Sequence, residues 1–272
     1  MPVAASKAYR LIIIALTVGM DNVNNSTINK VARIGLLFWL MKVIATTLGE
    51  TLGDFISMTL NMGYVAGIGI TFAFFAVVLA IQLSLRKYVP LAYWLVIIGT
   101  TTLGTELSDF LDRTWHLGYA LGSLLLVCCL LVTLLLWYRK YHNLDVYPIA
   151  VTSKELCYWT AILFSNSLGT AFGDFLGDDL GLSYMQGAMV TAGVIIVVLL
   201  LHYLTRINHN LLFWIAFVFT RPFGATFGDL LTKPTQKGGL DLGTLNASLV
   251  AIGIMMVLIA LEHIRARKLS IR

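Results

Sequence analysis

The chain has 272 residues, of which 58% are hydrophobic and only 12% are charged. Soluble domains carry about 25% charged residues, so this composition excludes an ordinary soluble protein and predicts one that crosses a membrane several times. The net charge of +5 does not indicate a nucleic-acid partner, because the basic residues stand at the ends of apolar segments, as membrane topology requires. The lipid bilayer is therefore the first partner that the sequence predicts.

The N-terminal segment, residues 1–30, contains a short apolar stretch at residues 11–20 behind Lys7 and Arg10. A helix that spans the hydrocarbon core needs about 20 apolar residues, and this stretch has half of that. It also has no small-residue cleavage signal. We therefore predict a short, uncleaved helix that is interfacial or packed against the rest of the protein.

Eight apolar segments of spanning length follow, at about residues 34–55, 63–85, 91–111, 117–138, 157–177, 184–205, 211–231 and 243–264. They predict an all-α integral membrane protein with eight transmembrane helices. No long hydrophilic stretch separates them, so we expect one transmembrane domain over residues 31–264 and a basic cytoplasmic tail over residues 265–272.

The eight segments form four two-helix repeats, at about residues 34–88, 89–143, 154–208 and 209–264. In each repeat a Trp lies ten residues before a Gly, and that Gly lies five residues before an Asp. The residues are Trp39, Trp94, Trp159 and Trp214; Gly49, Gly104, Gly169 and Gly224; and Asp54, Asp109, Asp174 and Asp229. Four ungapped matches in one chain indicate internal duplication.

Topology follows from the basic residues. The termini and the loops between repeats hold fourteen of the nineteen Lys and Arg residues, which places both termini in the cytoplasm. Two spans per repeat give all four repeats the same orientation. Fifteen residues separate each Trp from its Asp, or about 22 Å of helix. The tryptophans should therefore lie in the cytoplasmic aromatic belt, and the aspartates toward the outer third of the bilayer.

This pattern resembles a bacterial membrane-protein family of unknown function that is defined by four tandem two-helix repeats with a characteristic tryptophan. The resemblance covers about residues 34–264. It implies a multi-pass protein of the bacterial inner (plasma) membrane. It supplies no substrate, so the chemistry has to come from the residues.

Acidic residues accumulate in the repeated motif: Glu50, Asp54, Glu106, Asp109, Asp174 and Asp229. A carboxylate near the bilayer centre costs roughly 2.5–3.5 kcal/mol, so six that faced lipid are implausible. We predict that they face the bundle interior, where they bind a cation or exchange protons. Glu50 with Asp54, and Glu106 with Asp109, have the spacing of one helix face, which makes these four the predicted metal ligands.

Five polar residues are expected to support this acidic layer: Thr47, Thr102, Asn166, Arg221 and Lys42. Lys42 and Arg221 are the only basic residues predicted within the spans, so the layer should keep an excess of negative charge that favours a cation. We expect Arg221 to neutralise Asp229 or to act as a countercharge when the cation leaves. Carboxylate and hydroxyl ligands suit Mg²⁺, Mn²⁺, Ca²⁺ or alkali ions.

Small residues recur in the same motif as Gly-x-x-x-Gly pairs or their equivalent: Gly49, Gly53, Gly104, Gly169, Gly173, Gly224 and Gly228. Such pairs allow helices to pack closely. They could also unwind the helices and free carbonyl groups for an ion, as in transporters with broken helices. The sequence is compatible with both.

The leading functional hypothesis is a transporter of a small inorganic cation, similar to Mn²⁺ or Mg²⁺, with proton coupling at the same carboxylates. A cation channel with pseudo-fourfold symmetry is the alternative. A metal-dependent membrane enzyme or a lipid-handling protein is less favoured, because no His-containing metal motif, catalytic triad or phosphate-binding loop is present. We expect no catalytic residues and no cofactor other than the bound cation. The pattern is also compatible with a homo-oligomer.

Overall fold

A computed structural model describes residues 29–205 and 207–270. This part of the chain contains eight long α-helices and no β-strand, which confirms the predicted all-α fold. The helices are α1 (Leu36–Asp54), α2 (Gly63–Ser84), α3 (Pro90–Asp109), α4 (Gly118–Tyr141), α5 (Thr152–Asp174), α6 (Tyr184–Leu204), α7 (His209–Thr232) and α8 (Thr244–Ser270). The short helix predicted at residues 11–20 lies outside the described residues. Residues 265–270 of the predicted tail continue α8.

The eight helices form an inner and an outer layer. The first helices of the repeats, α1, α3, α5 and α7, form a closed ring in which each contacts its two neighbours. Each second helix packs outside the ring, against the first helix of the next repeat: α2 on α3, α4 on α5, α6 on α7 and α8 on α1. Every repeat is therefore held by the repeat before it.

Helix composition follows this division into layers. Six of the eight helices are long and apolar enough to cross a membrane, and the other two are the inner helices α3 and α5. Many polar side chains of those two helices, such as Thr101 and Asn166, are fully buried inside the bundle and do not face lipid. The outer helices expose large apolar side chains, such as Val65 and Phe72 of α2, as a lipid-facing surface requires. The chain is thus a multi-pass membrane protein.

The motif glycines lie where neighbouring inner helices touch. A Cβ added at Gly49 would collide with Thr101 of α3, and one added at Gly169 would collide with Arg221 of α7. Gly224 meets α1 in the same way, and Gly104 lies almost as close to α5. The inner helices remain continuous through these glycines, so the alternative of unwound segments is not found in the described residues.

The backbone changes directly after the motif aspartate. In the first three repeats the α-helix widens there into one π-helical turn: Phe55–Thr59, Phe110–Thr114 and Phe175–Asp179. π-Helical turns are rare and occur frequently at functional sites. In the fourth repeat α7 stays α-helical past Asp229 to Thr232 and leads into an insertion that contains the short 3₁₀ helix Thr235–Lys237.

The repeated tryptophans do not form the predicted lipid-facing belt. Trp94, Trp159 and Trp214 are buried within the bundle, and only Trp39 is partly exposed. They pack against other aromatic side chains at the N-terminal ends of the inner helices, with Trp159 next to Tyr93 and Tyr158. The prediction treated each helix as a separate span in lipid, whereas the inner ring is covered by the outer helices.

Candidate functional site

A polar cavity of about 440 Å³ lies at the end of the bundle where the loops within the repeats are located. Its lining includes five carboxylates, three basic side chains and two tyrosines: Glu50, Asp54, Asp174, Asp178 and Asp229; Arg113, Lys233 and Lys237; and Tyr119 and Tyr184. We call this cavity the vestibule. Three of the four motif aspartates line it, and the fourth, Asp109, is buried beside Arg113.

The four motif aspartates form two pairs, and each pair is bridged by one basic side chain. The Lys233 Nζ lies 2.7 Å from Asp54 Oδ2 and 3.1 Å from Asp229 Oδ1. Across the vestibule, Arg113 lies 3.7 Å from the Asp109 carboxylate and 3.4 Å from that of Asp174. Each base thus joins the aspartate of its own repeat to that of the following repeat. Each group contains two carboxyl groups and one base, so acidic groups outnumber basic ones in both.

Both of these bases lie outside the predicted spans, which end at residues 111 and 231. Only Lys42 and Arg221 were therefore expected as compensating charges. The signal was present, because Arg113 and Lys233 each follow a motif aspartate by four residues, the spacing of ion-pair partners on a helix. The predicted excess of six acids over two bases is therefore wrong, although a smaller excess remains.

Lys233 lies just beyond the end of the spanning helix α7. Burial alone would lower the pKa of its ammonium group, but the Asp229 and Asp54 carboxylates raise that pKa above its ordinary value. Lys233 is therefore positively charged at neutral pH. Its side chain is 25% exposed, which shows that it reaches the carboxylates from the mouth of the vestibule.

Arg221 pairs with Glu50 and not, as predicted, with Asp229. Its Nη2 donates to Glu50 Oε2 at 2.8 Å and to Thr105 Oγ1 at 2.5 Å. The aliphatic part of Arg221 packs against Gly169. Arg221 from the fourth repeat thus contacts each of the other three repeats, with its side chain fully buried.

Lys42 also ties repeats together, but without an acidic partner. Its Nζ donates to Asn166 Oδ1 at 2.8 Å and lies 3.8 Å from the centre of the Phe217 ring. Asn166 Nδ2 in turn donates to Thr100 Oγ1. This layer lies between the aromatic end of the ring and the layer of Arg221 and Glu50. Of the other predicted supporting residues, Thr102 donates within its own helix, and the buried Thr47 hydroxyl has no partner among the described residues.

Glu106, like Asp109, does not line the vestibule, which corrects the predicted place of both residues in the metal site. Glu106 stands three residues before its motif aspartate, whereas Glu50 stands four before Asp54. One position on a helix is a rotation of about 100°, so Glu50 faces the ring and Glu106 faces the outer helix α2. The Glu106 carboxyl is fully buried against Gly67 and near the Ser57 hydroxyl, which donates to Gly53 O at 2.9 Å. Among the described residues no basic side chain pairs with Glu106.

The structure brings together three of the six carboxylates that were predicted to bind a cation, but not the four that were predicted as metal ligands. Glu50, Asp54 and Asp229 can each offer a carboxylate oxygen such that the three atoms lie within 4.8 Å of one another. Three oxygen ligands at this separation suit a hard divalent cation. Only Glu50 and Asp54 come from the predicted four, because ring closure brings the first repeat next to the fourth.

The opposite end of the ring is filled with side chains. The Tyr93 and Tyr158 hydroxyls share a hydrogen bond of 2.5 Å, and Phe217 and Trp159 are buried beside the Lys42 layer. The ends of the outer helices close this region from outside. For example, Glu262 of α8 accepts a hydrogen bond of 2.8 Å from Trp94 Nε1. The vestibule is therefore closed toward the tryptophans.

Fold and site together define a membrane protein of four parallel two-helix repeats around a charged vestibule. The chain belongs to the family described as Repeat of Unknown Function (DUF347), whose sequence profile matches residues 37–88, 92–142, 157–208 and 212–268. This match confirms the family resemblance and the four tandem repeats. No curated protein and no solved structure shows significant similarity to the chain.

Proposed function

We propose that this protein transports a small inorganic cation, similar to Mn²⁺ or Mg²⁺, and holds it at Glu50, Asp54 and Asp229. The observation that carries this proposal is the convergence of three carboxylates within 4.8 Å on a cavity that is open at one end. Anions are disfavoured there, because acidic groups outnumber basic ones in both bridged aspartate pairs. The ligands are all oxygen atoms, which favours a hard cation over Zn²⁺ or Cu⁺.

A transporter accounts for the filled ring better than a channel does. A channel needs a continuous water-filled path, but Lys42, Arg221 and Phe217 fill the space between the vestibule and the tryptophans. Alternating access requires a site that is open to one side at a time. The closely packed inner helices could open the other side by small sliding movements at their glycine contacts.

Glu106 supports coupling to protons. An ionised carboxylate that is buried without a partner costs several kcal/mol or shifts to its neutral form. The packing around Glu106 therefore fits the neutral acid, which would release its proton when α2 and α3 separate. We propose the bacterial inner membrane as the location. With both termini cytoplasmic, the vestibule opens to the outside, in agreement with the distribution of Lys and Arg.

The test is Mn²⁺ flux into vesicles that contain the purified protein, compared among wild type, Asp54→Asn and Asp229→Asn. Both substitutions keep the side-chain shape but remove a charged ligand, so flux should fall by about tenfold or more, which corresponds to about 1.4 kcal/mol. Asp179→Asn is the matched control, because Asp179 is exposed and does not line the vestibule. Wild-type flux in both site variants would refute the proposal.

A further inference from the structure

Lys233 occupies the position that the proposed cation would need. Its ammonium group contacts Asp54 and Asp229, two of the three converging carboxylates, at 2.7 and 3.1 Å. An ammonium group is a compact point charge that donates to several oxygens at once. A divalent ion between the same oxygens would repel it, so the ion and the Lys233 side chain cannot occupy the site together.

Lys233 differs from its equivalents in the other repeats in where the backbone places it. The equivalent residues Met58, Arg113 and Asp178 lie within π-helical turns, whereas Lys233 is the first residue after α7 and begins the insertion of the fourth repeat. Its backbone is fixed, because its N–H donates to Asp229 O and its carbonyl accepts from Asp241 N. Movement away from Asp54 and Asp229 is therefore left to the Lys233 side chain, which can swing toward the mouth of the vestibule.

Arg113 bridges the other aspartate pair but is held differently. Its guanidinium lies 3.7 and 3.4 Å from its two carboxylates and also donates to the Tyr64 hydroxyl, with the side chain 35% exposed. Arg113 emerges within a π-helical turn of the ring, not from a loop after it. The tyrosine contact and the helical backbone distinguish it from Lys233, whose ammonium group contacts Asp54 and Asp229 more closely.

We propose that Lys233 is a tethered competitor, a built-in cation that must be displaced before a substrate cation binds. This inference rests on the proposed function and explains how the carboxylate site would select divalent over monovalent cations. A divalent ion has enough charge to replace the ammonium group at Asp54 and Asp229, whereas a monovalent ion gains little by doing so. Lys233 thereby biases the site toward divalent cations and also keeps its carboxylates partially neutralised when no substrate is bound.

The test is Mn²⁺ binding to the purified full-length protein, followed by the electron paramagnetic resonance signal of free Mn²⁺. Lys233→Met removes the competitor and keeps the aliphatic stem, so Mn²⁺ should bind about tenfold more tightly or better, and Na⁺ should compete more effectively. Lys237→Met is the matched control. Lys237 lines the same vestibule from the same insertion, and among the described residues it forms no ion pair.

A second measurement keeps the inference testable if Lys233→Met folds poorly. Lys233→Ala leaves room for a small external amine, so ethylammonium should inhibit Mn²⁺ binding to this variant at lower concentrations than it inhibits wild type. A purely structural ion pair predicts no such difference. The inference alone is refuted if wild type binds Mn²⁺ and both Lys233 variants behave like Lys237→Met. If no variant and no wild-type protein binds a divalent cation, the proposed function fails as well.

Discussion

Replacing Arg221 with methionine tests whether the buried pair with Glu50 holds the ring together. Methionine fills much of the same space, but it removes the partner of a carboxylate whose side chain is only 5% exposed. Breaking a buried ion pair by removing one member costs about 3–5 kcal/mol, because an uncompensated charge is left behind. The hydrogen bond of 2.5 Å from Arg221 to Thr105 is lost as well. We therefore expect Arg221→Met to lower the unfolding free energy by at least about 3 kcal/mol.

The double variant separates charge from packing. Glu50→Gln in the Arg221→Met background removes the stranded charge, so it should recover most of the lost stability. Neutral replacement of a whole buried pair is often tolerated. Unfolding free energies of wild type, both single variants and the double variant, measured in mixed micelles, give the coupling energy directly.

Lys42→Met is the matched control for this measurement. Lys42 is equally buried in an inner helix, but its partners are the neutral Asn166 and Phe217. Lys42→Met leaves no carboxylate without its partner, so it should lower the unfolding free energy clearly less than Arg221→Met does. The reasoning is wrong if the two variants lose the same stability, or if the double variant is as unstable as Arg221→Met.

Two further predictions concern the walls of the ring. Glu106→Gln should leave the unfolding free energy within about 1 kcal/mol of wild type, because a neutral carboxylic acid and an amide have similar size and hydrogen-bonding groups. The same substitution should abolish stimulation of Mn²⁺ flux by a proton gradient. A loss of several kcal/mol would show that Glu106 is an ionised structural group. Gly49→Val should destabilise the protein by about 1–3 kcal/mol or more through its collision with Thr101, whereas Gly69→Val, with no atom within 4 Å of the added Cβ, should have little effect in the same unfolding assay.

The repeats and the helices could be predicted from the sequence because both leave local signals. Apolar runs of spanning length reveal helices, and fixed spacing from Trp39 to Asp54 and its three copies reveals duplication. The inner and outer layers could not be assigned as easily, because packing of a helix on the next repeat is a long-range contact. A hydropathy lower than that of the outer helices was a local indication that the four inner helices lie inside.

The ligand set was harder to predict because it depends on rotation and on ring closure. Glu50 and Glu106 looked equivalent in the sequence, yet an offset of one residue relative to the motif aspartate turns Glu50 toward the ring and Glu106 toward the outer helix α2. Asp229 joins Glu50 and Asp54 only because the fourth repeat closes on the first. Lys233 was missed because the predicted span ended before it, although its spacing of four residues from Asp229 was visible.

The residue four positions after the motif aspartate alternates along the chain between a bridging base and another residue type. Arg113 and Lys233 occupy this position in the second and fourth repeats, and Met58 and Asp178 occupy it in the first and third. At this position the two halves of the chain repeat the same pattern, with a bridging base only in the second repeat of each half. Each aspartate pair takes one member from each half, because Asp54 pairs with Asp229 and Asp109 pairs with Asp174. Both basic bridges therefore lie at the contacts between the halves, so neither half contains a complete bridged pair by itself.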